Sequence, residues 1–234
     1  MKRQTVIREI AAHICALTLN HPVRVGVSGI TASGKTTFAN ELAKEIQNKG
    51  RKVIRTSIDY FHNPRAIRYA QGKESAKGYY EDAHDYKAIS ERLLIPLGLN
   101  GTKRYDIQSH DLETDMYIRN EPVLASEDTI CIVDGTFLFK EELKHLFDYK
   151  VFVETDFQIA RERGSKREAQ AFGSKEKAED MFLRRYHAAC HMYIEEHAPK
   201  ECADVVVNNN NIEEPVVVCN GFTFSDYTKK SDVL

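Results

Sequence analysis

The fold is decided by one stretch of the sequence, Gly29-Ile30-Thr31-Ala32-Ser33-Gly34-Lys35-Thr36. It fits the pattern G-x-x-x-x-G-K-[ST], in which backbone N–H groups surround the phosphates of a bound nucleotide. A β-branched run, Val23-Arg24-Val25-Gly26-Val27-Ser28, precedes it and predicts a strand. Apolar residues at helical spacing follow it, at Phe38, Leu42 and Ile46. Strand, glycine loop and helix in this order are what a phosphate-binding loop requires.

The residue types of the loop have separate physical roles. Gly29 and Gly34 allow the tight turns that aim successive N–H groups at phosphate oxygens. The helix that begins at Lys35 adds the positive end of its dipole, the Lys35 ammonium faces the β- and γ-phosphates, and the Thr36 hydroxyl is a ligand for Mg²⁺. The alternative, a glycine turn before an ordinary amphipathic helix, is disfavoured by the flanking pattern. We predict that ATP and Mg²⁺ bind at Gly29, Ile30, Thr31, Ala32, Ser33, Gly34, Lys35, Thr36 and Thr37.

Length, composition and charge limit the class of protein. With 234 residues, of which 42% are hydrophobic and 29% charged, the chain suits one soluble domain over residues 1–234. A formal net charge of −2 disfavours nucleic-acid binding, and no apolar stretch is long enough for a membrane span. Five scattered cysteines without CxxC spacing are typical of reduced thiols. We expect a cytoplasmic protein that binds a small molecule, with no nucleic-acid or membrane partner.

Further strands and helices are predicted around the loop. Apolar patterning places strands at 52–58, 129–133, 149–154 and 203–207 and helices at 5–19, 88–97, 157–167 and 175–197. Residues 60–84 are polar and aromatic without periodicity, and short strands are predicted near 102–107 and 116–124. An insert over about 60–125 is therefore expected to cover the substrate. The polar tail at 220–234 is expected to be loosely held.

Several short motifs beyond the loop share one family pattern. They are Ser57-Ile58-Asp59-Tyr60-Phe61, Tyr105-Asp106 with Ser109-His110, Val133-Asp134-Gly135, Val151-Phe152-Val153-Glu154-Thr155-Asp156 and Ala203-Asp204-Val205-Val206-Val207. With the loop, they make residues 25–207 resemble the uridine kinase family, in the group of P-loop kinases that includes phosphoribulokinase and pantothenate kinase. The resemblance implies an α/β P-loop NTPase fold, a mostly parallel sheet flanked by helices, with a substrate-covering insert and a helical lid over about 157–175. The family is often oligomeric, which leaves a homo-oligomer open.

Two acidic residues, Asp59 and Asp134, stand at the carboxyl ends of predicted strands. In open α/β folds, ligands bind at this edge of the sheet. A carboxylate at Asp59 can accept the proton of an acceptor hydroxyl and orient its oxygen, and the resemblance assigns the matching Asp this role. Asp134 resembles the second acid that organises Mg²⁺, although the family often has Glu-Gly where this chain has Asp134-Gly135. We predict catalytic, substrate and metal contacts for Asp59, and metal contacts for Thr36 and Asp134. The alternatives are turn-forming or solvated acids.

Basic residues on two predicted helices are candidates for charge stabilisation. Arg163 and Arg167 are four residues apart and share a helix face. Two guanidinium groups on a lid could neutralise the charge on the transferred phosphoryl group, so we predict catalytic roles for Lys35, Arg163 and Arg167. Arg185, on the next helix, is a further candidate for a substrate contact. The alternative is a solvated basic face.

The acceptor site is less well defined by the sequence. Tyr105 and His110 match family positions that contact a pyrimidine base. Uridine kinases also carry a Phe-Asp-His-Pro-Asp-type segment whose first Asp holds the ribose hydroxyls, and anchoring on Asp82-Ala83 places Tyr79 at that position. We predict substrate contacts from Tyr79 and from Glu81 or Asp82, which could replace that acid. A Tyr-rich loop packed under the insert is the alternative.

The expected reaction is transfer of the γ-phosphoryl group of Mg-ATP to the 5′-hydroxyl of uridine or cytidine. The departure near Tyr79 leaves open a kinase of the same group that acts on a sugar phosphate, pantothenate or another alcohol. A third hypothesis is a nucleotide-dependent switch that phosphorylates nothing. Such a switch would lack an acid at Asp59 and an insert over the substrate, and this sequence has both.

Overall fold

A central sheet of seven strands organises the molecule. The computed structural model describes residues 2–219 and 222–223, so the prediction for the tail at 220–234 falls almost entirely outside the described residues. With strands numbered along the chain, the order across the sheet is β11 (Phe222–Thr223), β10 (Val216–Cys219), β9 (Val205–Asn208), β8 (Tyr149–Glu154), β1 (Val23–Ser28), β7 (Ile130–Gly135) and β2 (Val53–Ser57). The five strands from β9 to β2 are parallel, and β10 and β11 are antiparallel additions at one edge.

Helices cover both faces of the sheet. They are α1 (Arg3–Ala16), α2 (Lys35–Asn48), α3 (Arg65–Arg68), α4 (Ala76–Asp82), α5 (Tyr86–Ile89), α6 (Phe157–Phe172), α7 (Lys175–Met181) and α8 (Ala188–His197). A π-helical turn, Phe182–His187, joins α7 to α8, so the predicted helix at 175–197 is continuous but irregular. A second π-helical turn, Ser90–Leu94, follows α5. The α/β class with a mostly parallel sheet is confirmed.

Two apolar clusters explain why the central strands are hydrophobic on both faces. On one face, Phe38 and Leu42 of α2 pack with Ile10 of α1 and with alternate residues of β7, including Ile132. On the other face, the intervening β7 residue Val133 packs with side chains of the insert and of α8. All six residues of β1 and of β7 are buried. A strand that is buried on both sides favours apolar residues at consecutive positions, which β7 has at 130–133. In β1 the valines alternate with other residues, and the buried Arg24 is paired with Asp148.

The insert forms small elements beyond β2. A 3₁₀ turn, Ile58–Phe61, leads into α3 and α4, where the sequence predicted no regular structure. Strand β3 (Arg104–Tyr105) pairs with β6 (Val123–Leu124), and β4 (His110–Asp111) pairs with β5 (Met116–Tyr117). The strand predicted near 116–124 is therefore divided between two ladders. Within the described residues, none of the helices has the length and apolar character that crossing a bilayer would take.

Candidate active site at the ends of the parallel strands

The glycine-containing loop lies between β1 and α2 and has a fixed conformation. Gly34 has a φ of 91°, and a side chain there would come within 2.7 Å of the Asn209 amide. A Cβ at Gly29 would lie 2.5 Å from the Val153 carbonyl oxygen. The Ser33 carbonyl accepts hydrogen bonds from Asn209 Nδ2, at 2.8 Å, and Thr155 Oγ1, at 3.1 Å. Glycines are required at both positions because neighbouring strands approach the loop closely.

Lys35 is the first residue of α2 and lies inside a small cavity, here called the loop cavity. This cavity has a volume of about 150 Å³ and is lined by Thr31, Ala32, Gly34, Lys35, Thr36, Thr37, Asp59, Tyr79, Thr136 and Arg167. Burial lowers the pKa of Lys35, while the charges of Asp134 and Asp59 act in the opposite direction. Lys35 Nζ donates to the Ile30 carbonyl at 3.3 Å. A cation among N–H groups at a helix N-terminus provides a site for a polyanion.

Thr36 and Asp134 form a cluster of oxygen ligands beside Lys35. Thr36 Oγ1 donates to Asp134 Oδ2 at 2.5 Å, and the Asp134 side chain is only 1% exposed. The other carboxylate oxygen, Oδ1, accepts from Arg55 Nη2 at 2.6 Å. Hydroxyl and carboxylate oxygens are the ligands that Mg²⁺ prefers, with water completing the shell, so the residues fit this ion. No sequence pattern indicated a role for Arg55, which lies on β2 and donates a hydrogen bond of 2.9 Å to Asn40 Oδ1.

Asp59 follows β2 in the 3₁₀ turn and faces the loop cavity. Its side chain is 66% exposed, and Oδ1 lies 3.5 Å from His84 Nε2. Desolvation is the largest single influence and acts to raise the pKa of Asp59, but contact with His84 and the neighbouring positive charges together outweigh it. The charges of His62 and Lys35 act in the same direction as His84. The pKa of Asp59 is therefore well below its ordinary value, and the carboxylate is ionised at neutral pH.

A second cavity, here called the side cavity, adjoins the loop cavity. It has a volume of about 400 Å³ and is lined by Thr31, Asp59, His62, Arg68, Tyr69, Tyr79, Ala83, Leu112, Arg167, Glu168, Phe182, Arg185 and Tyr186. Four residues line both cavities: Thr31, Asp59, Tyr79 and Arg167.

The Arg185 guanidinium lies over two aromatic rings of the side cavity. Its central carbon is 5.0 Å from the ring centre of Tyr79 and 5.3 Å from that of Tyr186, so aromatic rings hold this cation in place.

The two arginines of α6 that were predicted to act together lie in different environments. Arg167 lines both cavities and contacts Glu168 at 2.9 Å. Arg163 instead donates to the backbone carbonyls of Asn209, at 3.0 Å, and Asn210, at 2.7 Å. The two arginines lie one turn apart on α6 as expected, but the loop after β9 holds the Arg163 guanidinium, and only Arg167 lines the cavities.

Four predicted substrate contacts also lie outside both cavities. Glu81 and Asp82 accept from Gln71 Nε2, at 2.9 and 2.8 Å. Tyr105 lies in β3, in a groove on the outer side of the insert. The His110 side chain is fully buried, with Nε2 3.3 Å from Asp115 Oδ1. None of these four side chains lines the loop cavity or the side cavity, so substrate contact by them stays a prediction.

His110 keeps an indirect link to the side cavity. Asp115, its partner, also accepts from Arg68 Nη1 at 3.2 Å, and Arg68 lines the side cavity. The sequence patterns did not reveal Arg68, Tyr69, His62 and His84, which come from α3 and from the connections between short helices. No periodic pattern marks these positions.

The parallel sheet and the loop at its carboxyl edge define a P-loop kinase. A sequence model of the Phosphoribulokinase / Uridine kinase family matches residues 24–213, and the chain belongs to this family. The resemblance noted from the motifs is therefore confirmed.

Individual relatives agree with this assignment. The chain is 29% identical to a uridine kinase of Lactobacillus johnsonii, over 80% of this chain and 86% of that protein. It is 28% identical to uridine-cytidine kinase B of Dictyostelium discoideum, over 58% of this chain and 54% of that protein. A solved structure described as a possible uridine kinase from Bacillus stearothermophilus superposes with a TM-score of 0.65 at 26% identity, over 86% of this chain and 96% of that one. D-glycerate 3-kinase from Cryptococcus neoformans shares the fold, with a TM-score of 0.54 at 14% identity over 93% and 97% of the two chains.

Proposed function

We propose that this kinase transfers the γ-phosphoryl group of Mg-ATP to the 5′-hydroxyl of uridine or cytidine. The observation that carries the proposal is the junction of the two cavities, where Asp59 and Arg167 line both. A triphosphate on the loop would present its last phosphorus at this junction, and an alcohol in the side cavity would present its hydroxyl to Asp59. The relatives named uridine kinase and uridine-cytidine kinase support this acceptor.

Asp59 positions the acceptor hydroxyl and takes its proton. Because its pKa is low, Asp59 is a weak base, and it receives the proton only when the new oxygen–phosphorus bond has begun to form. A loose transition state for phosphoryl transfer does not require a strongly activated nucleophile. Orienting the oxygen is therefore the larger part of the role proposed for Asp59.

Charge on the transferred group is stabilised from the loop side. The Lys35 ammonium and the loop N–H groups interact with the phosphate oxygens, and Arg167 approaches from α6. Thr36 and Asp134 would hold Mg²⁺, which neutralises phosphate charge when bound. Closure of the segment 157–175, the lid expected from the sequence, over the junction would exclude water and limit hydrolysis of ATP.

A second acceptor class is favoured by one specific observation. Three guanidinium groups, Arg68, Arg167 and Arg185, line the side cavity, and Tyr79 stands where the family has its ribose-binding acid. Cations suit an acceptor that carries a phosphate or a carboxylate. A kinase of a sugar phosphate, pantothenate or a similar anionic alcohol is therefore the second candidate.

An acceptor panel tests the two candidates. ADP release is measured with purified protein, Mg-ATP and uridine, cytidine, pentose phosphates, pantothenate or glycerate, with Asp59→Asn as the inactive control. We expect uridine or cytidine to raise ADP release at least about 10²-fold over the rate without acceptor, since a positioned base alone contributes that much. A response to anionic alcohols alone would favour the second candidate. Tight ATP binding with no response to any acceptor would support the nucleotide-dependent switch.

A further inference from the structure

Two imidazoles and one carboxylate converge at the edge of the side cavity. One ligand atom each from Asp59, His62 and His84 lies within 4.8 Å of the other two. His84 Nε2 is 3.5 Å from Asp59 Oδ1. Ligand atoms around a tetrahedral zinc ion, bound at about 2.0–2.1 Å, are roughly 3.4 Å apart. Two of the three side chains therefore already have the spacing of a metal site.

The backbone holds the two histidines opposite each other. His62 and His84 form an isolated antiparallel bridge. On either side of it, Asn63 N donates to the Ala83 carbonyl at 3.0 Å and Asp85 N donates to the Phe61 carbonyl at 2.7 Å. The Asn63 side chain adds a bond to the His84 carbonyl at 3.1 Å. The histidines are thus positioned by hydrogen-bonded backbone rather than by a free loop, which favours a preorganised site.

The His84 imidazole has polar atoms that the protein leaves without hydrogen bonds. Its side chain is 1% exposed, and neither ring nitrogen has a hydrogen-bond partner among the described residues. Asp59 Oδ1 lies 3.5 Å from Nε2, so a metal ion between these two atoms would take the place of a proton shared by them. His62 is oriented differently, through a hydrogen bond of 2.9 Å between Nδ1 and the Asp59 carbonyl. Metal-binding histidines commonly use one ring nitrogen in this way and bind the metal with the other.

We propose that Asp59, His62 and His84 bind a divalent transition-metal ion of the zinc class, with a fourth position open to the side cavity. Nitrogen ligands distinguish this site from the oxygen ligands of Thr36 and Asp134, which suit Mg²⁺. The nearby Arg68 guanidinium is already paired with Asp115, at 3.2 Å, which limits its repulsion of the ion. An ion on Asp59 would occupy the carboxylate that the acceptor hydroxyl needs, so its binding would exclude productive acceptor binding. The site itself does not depend on the proposed reaction.

Cobalt(II) is a suitable probe because its visible absorption reports nitrogen coordination. The full chain is freed of metal with a chelator and titrated with Co²⁺ in the presence of millimolar Mg²⁺, and the bound metal is counted by equilibrium dialysis. His62→Gln and His84→Gln are compared with His145→Gln, which removes an exposed imidazole far from the site. Circular dichroism verifies that each variant is folded. His62 is only half-buried, so His62→Gln keeps the test decisive if His84→Gln does not fold.

The expected result is one Co²⁺ per chain in the wild type and in His145→Gln, displaced by Zn²⁺. Binding should weaken at least tenfold in each folded variant of the site, because loss of a ligand costs no less than the roughly 10–100-fold loss seen for outer-shell partners. Absence of Co²⁺ binding by the wild type would overturn the proposal. Unchanged affinity in folded His62→Gln or His84→Gln would also overturn it. Neither result would affect the proposed phosphoryl transfer, which is tested by the acceptor panel without transition metals.

Discussion

The two sides of the cleft are assembled in different ways. On the loop side, most of the lining comes from consecutive residues, 31–37, between one strand and one helix. In the side cavity, the lining comes from seven separate segments, around Thr31, Asp59, Arg68, Tyr79, Leu112, Arg167 and Arg185. The conformation of consecutive residues is determined largely by the local sequence, whereas the relative positions of dispersed residues are determined only by tertiary packing.

The largest expected effect comes from the loop side. Lys35→Ala removes the cation that faces both acids, and we expect the rate of ADP formation to fall about 10³–10⁵-fold, the range for loss of a cation that stabilises the transferred phosphoryl group. The side chain makes one long hydrogen bond to the loop, at 3.3 Å to the Ile30 carbonyl, so circular dichroism and melting temperature should change little. Lys44→Ala, an exposed residue on the same helix, is the matched control. Substantial activity in Lys35→Ala would show that the loop does not hold the reacting phosphate.

The next effect is at the junction of the two sides. Asp59→Asn keeps the size of the side chain and removes its charge, and we expect the rate constant for transfer to fall about 10²–10⁴-fold. ATP affinity, measured by calorimetry, should change far less, because Asp59 faces the acceptor. The exposed Asp128 provides the control, Asp128→Asn. An equal loss of ATP affinity and transfer rate would mean that Asp59 holds the nucleotide's metal instead.

Arg163 and Arg167, both on α6, test whether an arginine must line the cavities in order to affect catalysis. Arg167→Ala removes a cation from both cavities, and we expect a fall of about 10²-fold in kcat with little change in stability. Arg163→Ala removes two hydrogen bonds to backbone carbonyls, and we expect a loss of about 1–3 kcal/mol in the free energy of unfolding with kcat unchanged. Urea denaturation and steady-state kinetics separate the two effects. Similar losses of kcat in both variants would support the catalytic role that the sequence predicted for both arginines.

The sequence predicted the parts of the molecule whose causes are local. Strands β1, β2, β7, β8 and β9 follow from apolar runs, and the loop follows from its glycines. This reasoning fails at Arg163. Arg163 and Arg167 lie one turn apart, as expected. Only the folded chain brings the Asn209 and Asn210 carbonyls next to Arg163. Strand β10 was missed although it contains consecutive valines, because its pairing with β9 is set by chain reversal at the sheet edge.

The acceptor side was predicted least well. His110 was expected to contact substrate, but the β4–β5 ladder turns it toward Asp115, five residues later. Glu81 and Asp82 lie at the end of α4, where contact with Gln71 turns both away from the cavities. Such orientations depend on how short helices pack, and short helices have little amphipathic pattern to reveal their buried face.

The smallest expected effect concerns the contact between the loop and the π-helical turn before α8. His187, in the π-helical turn before α8, lies against the loop, with Nε2 3.3 Å from the Thr31 carbonyl oxygen. Burial lowers the pKa of His187 to about 4, although its hydrogen bond to Thr31 acts in the opposite direction. In the unfolded chain, the His187 imidazole has its ordinary pKa of about 6.5. Between these two values the unfolded state holds the extra proton, so acidification favours unfolding.

From this shift, His187 should account for about 2 kcal/mol of the free energy of unfolding that is lost between pH 8 and pH 5. His187→Gln retains a hydrogen-bond donor but does not titrate, so its loss over the same interval should be smaller by that amount. Urea denaturation at both pH values, for both proteins, gives the difference while other titrating groups cancel. Equal losses would mean that folding leaves the pKa of His187 near its ordinary value of about 6.5. The imidazole that contacts the Thr31 carbonyl would then carry a positive charge at pH 5.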